Sequence, residues 1–183
     1  MVQHNEVTSE RGARVSDKQP GIAATDGVSA LPFRPSDWPM PYLAGIEREH
    51  TLTATLVLRR FDIDHKSWRL LAVLKEHGEL TVSALAELAV LERSSVSKMV
   101  ATLEARGLVL RHQQGRDRRQ SNVALTEGGD ALYQETAPLI SRLFEYYFGG
   151  FDDEEFQRFM SALRDVMERV RSARLHPWTP RTE

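Results

Sequence analysis

At 100° per residue, the segment 92–106 sets Val96, Met99, Val100 and Leu103 on one side of a helix. The opposite side carries Ser94, Ser97, Lys98 and Ala101, with Thr102 on the flank. Solvated helix faces are commonly studded with Glu and Lys, and this one is slim. A ridge of short side chains with one long cation can enter a DNA major groove and still reach base edges and phosphates. Taken alone, the segment reads better as an ordinary amphipathic helix. The pattern after it changes the balance. Gly107 stops the helix, and two β-rich stretches at 108–112 and 121–125 flank a polar tip that holds Gly115, Arg116, Asp117, Arg118 and Arg119. That is a hairpin signature. A tip with three arginines can be a merely solvated turn; beside a slim helix it is better explained as a wing. Its guanidinium groups would lie along phosphates or enter a minor groove, where negative potential is focused.

The same periodicity lays out the remaining elements. Residues 42–60 read as a helix on Leu43, Ile46, Leu52, Leu56 and Val57. Asp64 is an N-cap for a second helix through Trp68, Leu70, Leu71, Val73 and Leu74, and Gly78 suits its C-terminal cap. Thr81 caps a short helix over 82–89 whose buried stripe is Leu85 and Leu88, and Val90 with Leu91 forms the turn into the Lys98 helix. Beyond the hairpin, Thr126 opens a long helix through Leu132, Leu139, Ile140, Leu143 and Tyr147, with Pro138 as a point for a kink and Gly149 and Gly150 as its end. Residues 152–155 (Asp-Asp-Glu-Glu) provide an N-cap and a negative first turn for a last helix on Phe156, Phe159, Met160, Leu163, Val166, Met167 and Val170.

The fold class predicted is therefore mainly α, a winged helix-turn-helix with N- and C-terminal dimerisation helices. A flexible arm is expected over 1–40, where Pro20, Pro32, Pro35 and Pro39 punctuate a stretch without sustained periodicity. A helical dimerisation region follows at 41–61 and 126–175, around a DNA-binding winged helix at 62–125, with a flexible tail at 176–183. The outer helices hold more apolar residues than one small domain needs. The aromatics Phe144, Tyr146, Tyr147, Phe148, Phe151, Phe156 and Phe159 point to burial against a second copy. A two-fold would set two reading helices about one DNA turn apart, roughly 34–36 Å.

Composition narrows the function classes. The net formal charge is −2, but residues 91–119 carry seven Lys/Arg against three acids, a net +4 that leaves −6 for the rest. The positive charge is concentrated where the helix and hairpin lie. There is no cysteine, which excludes disulfides and thiolate metal sites. No apolar run approaches the length of a bilayer span, and the N-terminus lacks an export signal, so a cytoplasmic protein with no membrane partner is expected.

From about Asp64 to Gly129 the residues resemble the MarR family of bacterial transcriptional regulators. The resemblance is carried by the runs 68–71 (Trp-Arg-Leu-Leu), 80–86 (Leu-Thr-Val-Ser-Ala-Leu-Ala), 95–98 (Ser-Val-Ser-Lys), 103–109 (Leu-Glu-Ala-Arg-Gly-Leu-Val), 117–119 (Asp-Arg-Arg) and 125–129 (Leu-Thr-Glu-Gly-Gly). It implies that Ser95, Ser97 and Lys98 contact the major groove and phosphates. It further implies that Asp117 orients a wing arginine and that Arg119 or Arg118 enters the minor groove. One position departs from the pattern: the turn between the two helix-turn-helix helices often contains Gly in this family, and here it holds Val90. The phrasing at 91–95 (Leu-Glu-Arg-Ser-Ser) is similar to branches that control aromatic-acid catabolism.

Other chemistries find no support. The six histidines lack the i, i+4 pair of a zinc helix, so no metal site and no cofactor is expected. No glycine-rich phosphate loop or nucleophile–base set is present, and the acidic run 152–155 is accounted for by a helix start. An enzyme is not expected. The expected partners are double-stranded DNA with a near-palindromic operator, a second copy of the chain, and a small-molecule effector. DNA contacts are assigned to Ser94, Ser95, Ser97, Lys98, Thr102, Arg116, Asp117, Arg118 and Arg119, and an effector pocket to Tyr42, His50, Trp68 and Arg69. The alternative is a helical protein-interaction module that has the winged-helix fold and reads no DNA.

Overall fold

The computed structural model describes residues 34–113 and 121–175. In its N-terminal unit, which runs to Tyr42, Pro35–Asp37 forms one turn of 3-10 helix, and the Tyr42 hydroxyl donates to the Ser36 carbonyl at 3.4 Å. Helix α1 spans Pro39–Leu58. It starts two residues before the expected boundary because proline suits a first helical turn, where its missing N–H has no partner to lose. The expected arm and tail otherwise fall outside the described residues, apart from 34–40.

The remaining unit, from Leu43 onward, is built on local signals that the chain spells out. Helix α2, His65–His77, begins where the Asp64 carboxylate accepts the Ser67 N–H at 2.9 Å, and ends at Gly78, whose φ of 76° is costly for any side chain. Two residues, Leu80–Thr81, form strand β1, and the Thr81 hydroxyl caps α3, Val82–Leu88, by accepting the Ala84 N–H. Helix α4 covers Arg93–Ala105. At its end Leu108 N–H reaches the Leu103 carbonyl and Gly107 N–H the Glu104 carbonyl, both at 2.9 Å, with Gly107 left-handed at φ 70°. That paired closure is a Schellman motif.

Strands β2, Val109–Gln113, and β3, Ser121–Leu125, form the expected antiparallel hairpin, with Arg111 opposite Val123. Strand β1 joins the far edge of β3, giving the order β1-β3-β2. Helix α5, Glu127–Phe148, is capped by the Thr126 hydroxyl and passes through Pro138 without interruption. Helix α6, Asp153–Leu175, opens on a reciprocal box: Asp152 accepts the Glu155 N–H at 2.8 Å, and Glu155 accepts the Asp152 N–H at 2.9 Å.

The core lies under the winged helix. Leu58, Leu70, Leu71, Leu85, Val96, Val100, Leu103, Val109 and Val123 are fully enclosed, and Trp68 packs among them. Leu88 is half exposed, contrary to its place in the expected stripe; Ala86 and Ala89 take the buried positions of α3. The outer helices differ sharply. On α1 only Ala54 and Leu58 are buried, and over 153–173 no apolar residue of α6 is fully buried. No helix among the described residues is long and apolar enough to cross a membrane.

Candidate nucleic-acid interface

The periodicity of α4 translates directly into exposure. Val96, Val100 and Leu103 face the core, and Met99 is half-buried between them. Ser94, Ser95, Ser97, Lys98, Ala101 and Thr102 are exposed. The Thr102 hydroxyl donates to the Lys98 carbonyl at 3.2 Å, which ties it to its own helix. Lys98 has no ion-pair partner among the described residues.

Three connections hold this helix. At its C-terminal end Arg106 donates to the carbonyls of Asp62 and Phe61, in the link between α1 and α2. On its flank Arg111 of β2 donates to the Ser97 carbonyl at 3.0 Å, and its backbone N–H reaches Glu104 Oε1 at 3.2 Å. Arg111 Nε lies 3.4 Å from Glu104 Oε2, an ion pair not aligned as a hydrogen bond. At the N-terminal end, Val90 N–H bonds to the Glu87 carbonyl and Leu91 N–H to Ala86. Val90 takes the left-handed conformation, φ 54°. That explains why glycine is the easy residue here: Val90 makes the glycine turn at a cost that a β-branched side chain must carry.

The hairpin sits against α4 through these Arg111 contacts. At its base Glu79 accepts from Asn122 at 2.6 Å and pairs with His112 at 2.7 Å, binding both strands to the link before β1. The wing residues Arg116, Asp117, Arg118 and Arg119 lie outside the described residues.

Of the expected pocket residues, the structure brings His50, Trp68 and Arg69 into one neighbourhood and adds His65, Tyr133, Tyr147 and Glu47. Tyr42 is exposed in the N-terminal unit. His50 of α1 and His65 at the start of α2 meet Nε2 to Nε2 at 3.1 Å, with ring centroids 4.4 Å apart. The rings continue as a column: Tyr147 against His50 at 5.7 Å, Trp68 stacked on His65 at 6.3 Å, Tyr133 stacked on Trp68 at 5.8 Å. Trp68 Nε1 donates to Thr136 Oγ1 at 2.8 Å, fastening α2 to α5 inside the core.

The pair is electrostatically unusual. Between two neutral imidazoles one Nε2 must donate and the other accept, so one Nδ1 carries a proton and the other does not. Both Nδ1 atoms are buried without a partner among the described residues. Burial first, then the charges of His50 and Arg69, push the His65 pKa down to about 4, and burial also lowers His50. One unpaired donor and one unpaired acceptor therefore stand in this column of aromatic rings. Sequence reasoning missed His65 because it stands 15 positions from its partner; its placement next to the Asp64 cap was the one available hint. Arg69 lies one turn further along α2 and bridges Glu47 Oε1 at 2.6 Å and the Ala89 carbonyl at 3.3 Å. A separate groove of about 750 Å³ runs beside α4, lined by Lys66, Glu87, Val90, Ser95, Met99 and Arg171 among others. Among the described residues no cluster of three His, Asp or Glu side chains is arranged for a metal ion.

Residues 63–121 match the model of the MarR family. The chain is 28% identical over 138 residues to the HTH-type transcriptional repressor IacR of Pseudomonas putida, a match that covers 75% of this chain and 83% of that protein. It is 27% identical over 111 residues to the homoprotocatechuate degradative operon repressor of Escherichia coli, covering 61% and 75% respectively. Among solved structures, a MarR family transcriptional regulator from Silicibacter pomeroyi superposes with a TM-score of 0.67 at 29% identity, covering 76% of this chain and 98% of that one.

Proposed function

Because the chain belongs to the MarR family of winged helix-turn-helix transcriptional regulators, we propose that it is a homodimeric repressor of the cytoplasm that binds a near-palindromic duplex and is released by a small aromatic acid or phenol. It is a regulator and not an enzyme. One observation carries the DNA-reading role: α4 exposes a ridge of serines, Thr102 and a Lys98 that has no ion-pair partner among the described residues. Ser94, Ser95 and Ser97 would sit at base edges and phosphates, Lys98 on a phosphate, and Arg116, Arg118 and Arg119, steadied by Asp117, at the neighbouring minor groove.

The effector reading rests on the histidine column. A carboxylic acid or phenol offers a donor and an acceptor to the two orphan Nδ1 atoms and an aromatic face to Trp68 or Tyr147. His50, Trp68 and Arg69 would line the site with His65. Release requires the ligand to prefer a spacing of reading helices that misses successive grooves, since equal affinity for both spacings shifts nothing.

A gel shift with the duplex upstream of the protein's own gene tests the DNA role. Binding is expected, and Lys98→Ala should weaken all sequences alike. It should also flatten the slope of log affinity against log salt by about 0.9, the release expected for one phosphate. Indifference of the purified protein to duplex DNA at low salt would sink the reading and favour a protein-interaction module.

A further inference from the structure

Arg69, already placed in the wall of the effector site, also reaches the turn that precedes α4. Its guanidinium is a rigid planar fork, and its two terminal nitrogens serve different elements. Nη2 holds Glu47 Oε1 on α1 at 2.6 Å. Nη1 donates to the carbonyl of Ala89, the residue that ends α3 and precedes the left-handed Val90. Glu47 stands one turn before His50 on α1, and Arg69 one turn after His65 on α2, so the fork starts beside the histidine pair. It ends on the turn that aims α4. Besides this contact the turn is held by the backbone bonds of Val90 and Leu91, and Glu92, the N-cap of α4, makes no side-chain capping bond.

We propose that Arg69 is the positioning residue through which the His50–His65 pair sets the angle of the reading helix, one branch of its fork held by Glu47 and the other holding the Ala89 carbonyl. The inference rests on the readings that α4 faces DNA and that an acidic effector binds at the histidine pair. A carboxylate entering beside His50 and His65 competes with Glu47 for the guanidinium. As the fork turns toward the newcomer, Nη1 leaves Ala89, and a buried carbonyl loses its donor. The α3–α4 turn then relaxes from a conformation that Val90 already resists. The charges facing this junction are Glu47 from α1, and Asp64, His65 and Arg69 from α2, with His50 opposite. Partial burial works to raise the Glu47 carboxyl, but the Arg69 hydrogen bond and charge hold it below its ordinary value, so it remains an anion for the fork to grip. Coupling of this kind is established only by perturbing the connecting element while both ends are read.

The test uses the full chain with Arg69→Lys, Arg69→Gln and Glu47→Gln. Lysine keeps the charge but cannot hold two partners in a plane. The readouts are amide hydrogen exchange at Val90 and Leu91, affinity for the upstream duplex across a salt series, and the effect of homoprotocatechuate as probe. In both Arg69 variants exchange at these two amides should rise about tenfold, while the rest of α3 and α4 changes little. Duplex affinity should fall about tenfold with the salt slope unchanged, because no phosphate contact is lost. The probe should no longer alter duplex affinity. Glu47→Gln should move every readout in the same direction by less, and it supplies the answer if an Arg69 variant fails to fold. Wild-type exchange at Val90 and Leu91 in folded variants overturns the proposal. So does a uniform rise across the whole domain, the mark of a purely structural role. Failure of the wild type to bind duplex would remove the DNA reading while the exchange measurement still decides the link.

Discussion

Val90 and His65 show how single residues carry the tension in this molecule. Val90 is 58% exposed and left-handed, so replacing it forfeits little packing. A β-branched residue there costs about 1–2 kcal/mol, part of which glycine gives back as unfolded-state entropy. Val90→Gly should therefore stabilise the fold by about 1 kcal/mol, raising the melting temperature by a few degrees in a thermal scan. His65 is only 3% exposed, and its pKa is depressed from 6.5 to about 4. Above pH 6.5 it is neutral in both folded and unfolded chains, and its environment costs nothing. As pH falls from 6.5 toward 4, the unfolded chain takes up a proton that the folded chain refuses, and stability drains away. The loss reaches roughly 3 kcal/mol once the folded pKa is passed, at 1.36 kcal/mol per unit. Calorimetry at pH 7.5 and 5 should show the wild type losing more of its melting temperature than His65→Gln; equal losses would mean that burial does not keep this imidazole neutral.

Elements are fastened to one another at places where the chain leaves no spare volume. The first turn of α5 presses on the exit of α4: Thr126 donates its hydroxyl to the Gly107 carbonyl at 2.6 Å, and its N–H reaches the Leu108 carbonyl at 3.2 Å. A Cβ on Gly129 would lie 1.9 Å from that same Leu108 oxygen. Backbone cannot yield as a flexible side chain does, so Gly129→Ala must push α5 away from the winged helix. Destabilisation by about 3 kcal/mol is expected, measured as a lower urea midpoint. Gly128, its neighbour, meets only ordinary contacts, and Gly128→Ala serves as the control.

For the molecule as a whole, the unspent hydrophobic surface matters most. Ile46, Leu52 and Leu56 on α1, Phe144, Tyr146 and Tyr147 near the end of α5, and Val166, Met167 and Val170 on α6 are all exposed in the single chain. Exposed apolar side chains on three helices are what the proposed dimer would cover. Under the dimer proposal, Leu56→Glu with Val170→Glu should leave the fold intact, because these side chains are 67% and 53% exposed. Sedimentation should then report a monomer, with duplex affinity at least 100-fold weaker because two half-sites no longer act together. A variant that still sediments like the wild type would move the interface elsewhere.

What the sequence by itself determined is what four or five neighbouring residues can settle. Asp64, Thr81, Thr126 and Asp152 start helices because each reaches an N–H within three positions; Gly78 and Gly107 end them because the positive φ there is costly for a residue with a Cβ. The slim face of α4 was equally legible, since burial of Val96, Val100 and Leu103 follows from a period of 3.6. Strand β1 was not, because two residues have no period and become a strand only through β3. Nor were the burial of Ala89 in place of Leu88, the meeting of His50 with His65, and the reach of Arg69 from α1 to the α3–α4 turn. Each joins residues far apart in the chain, and their proximity is set by how whole helices pack, which no local spacing encodes.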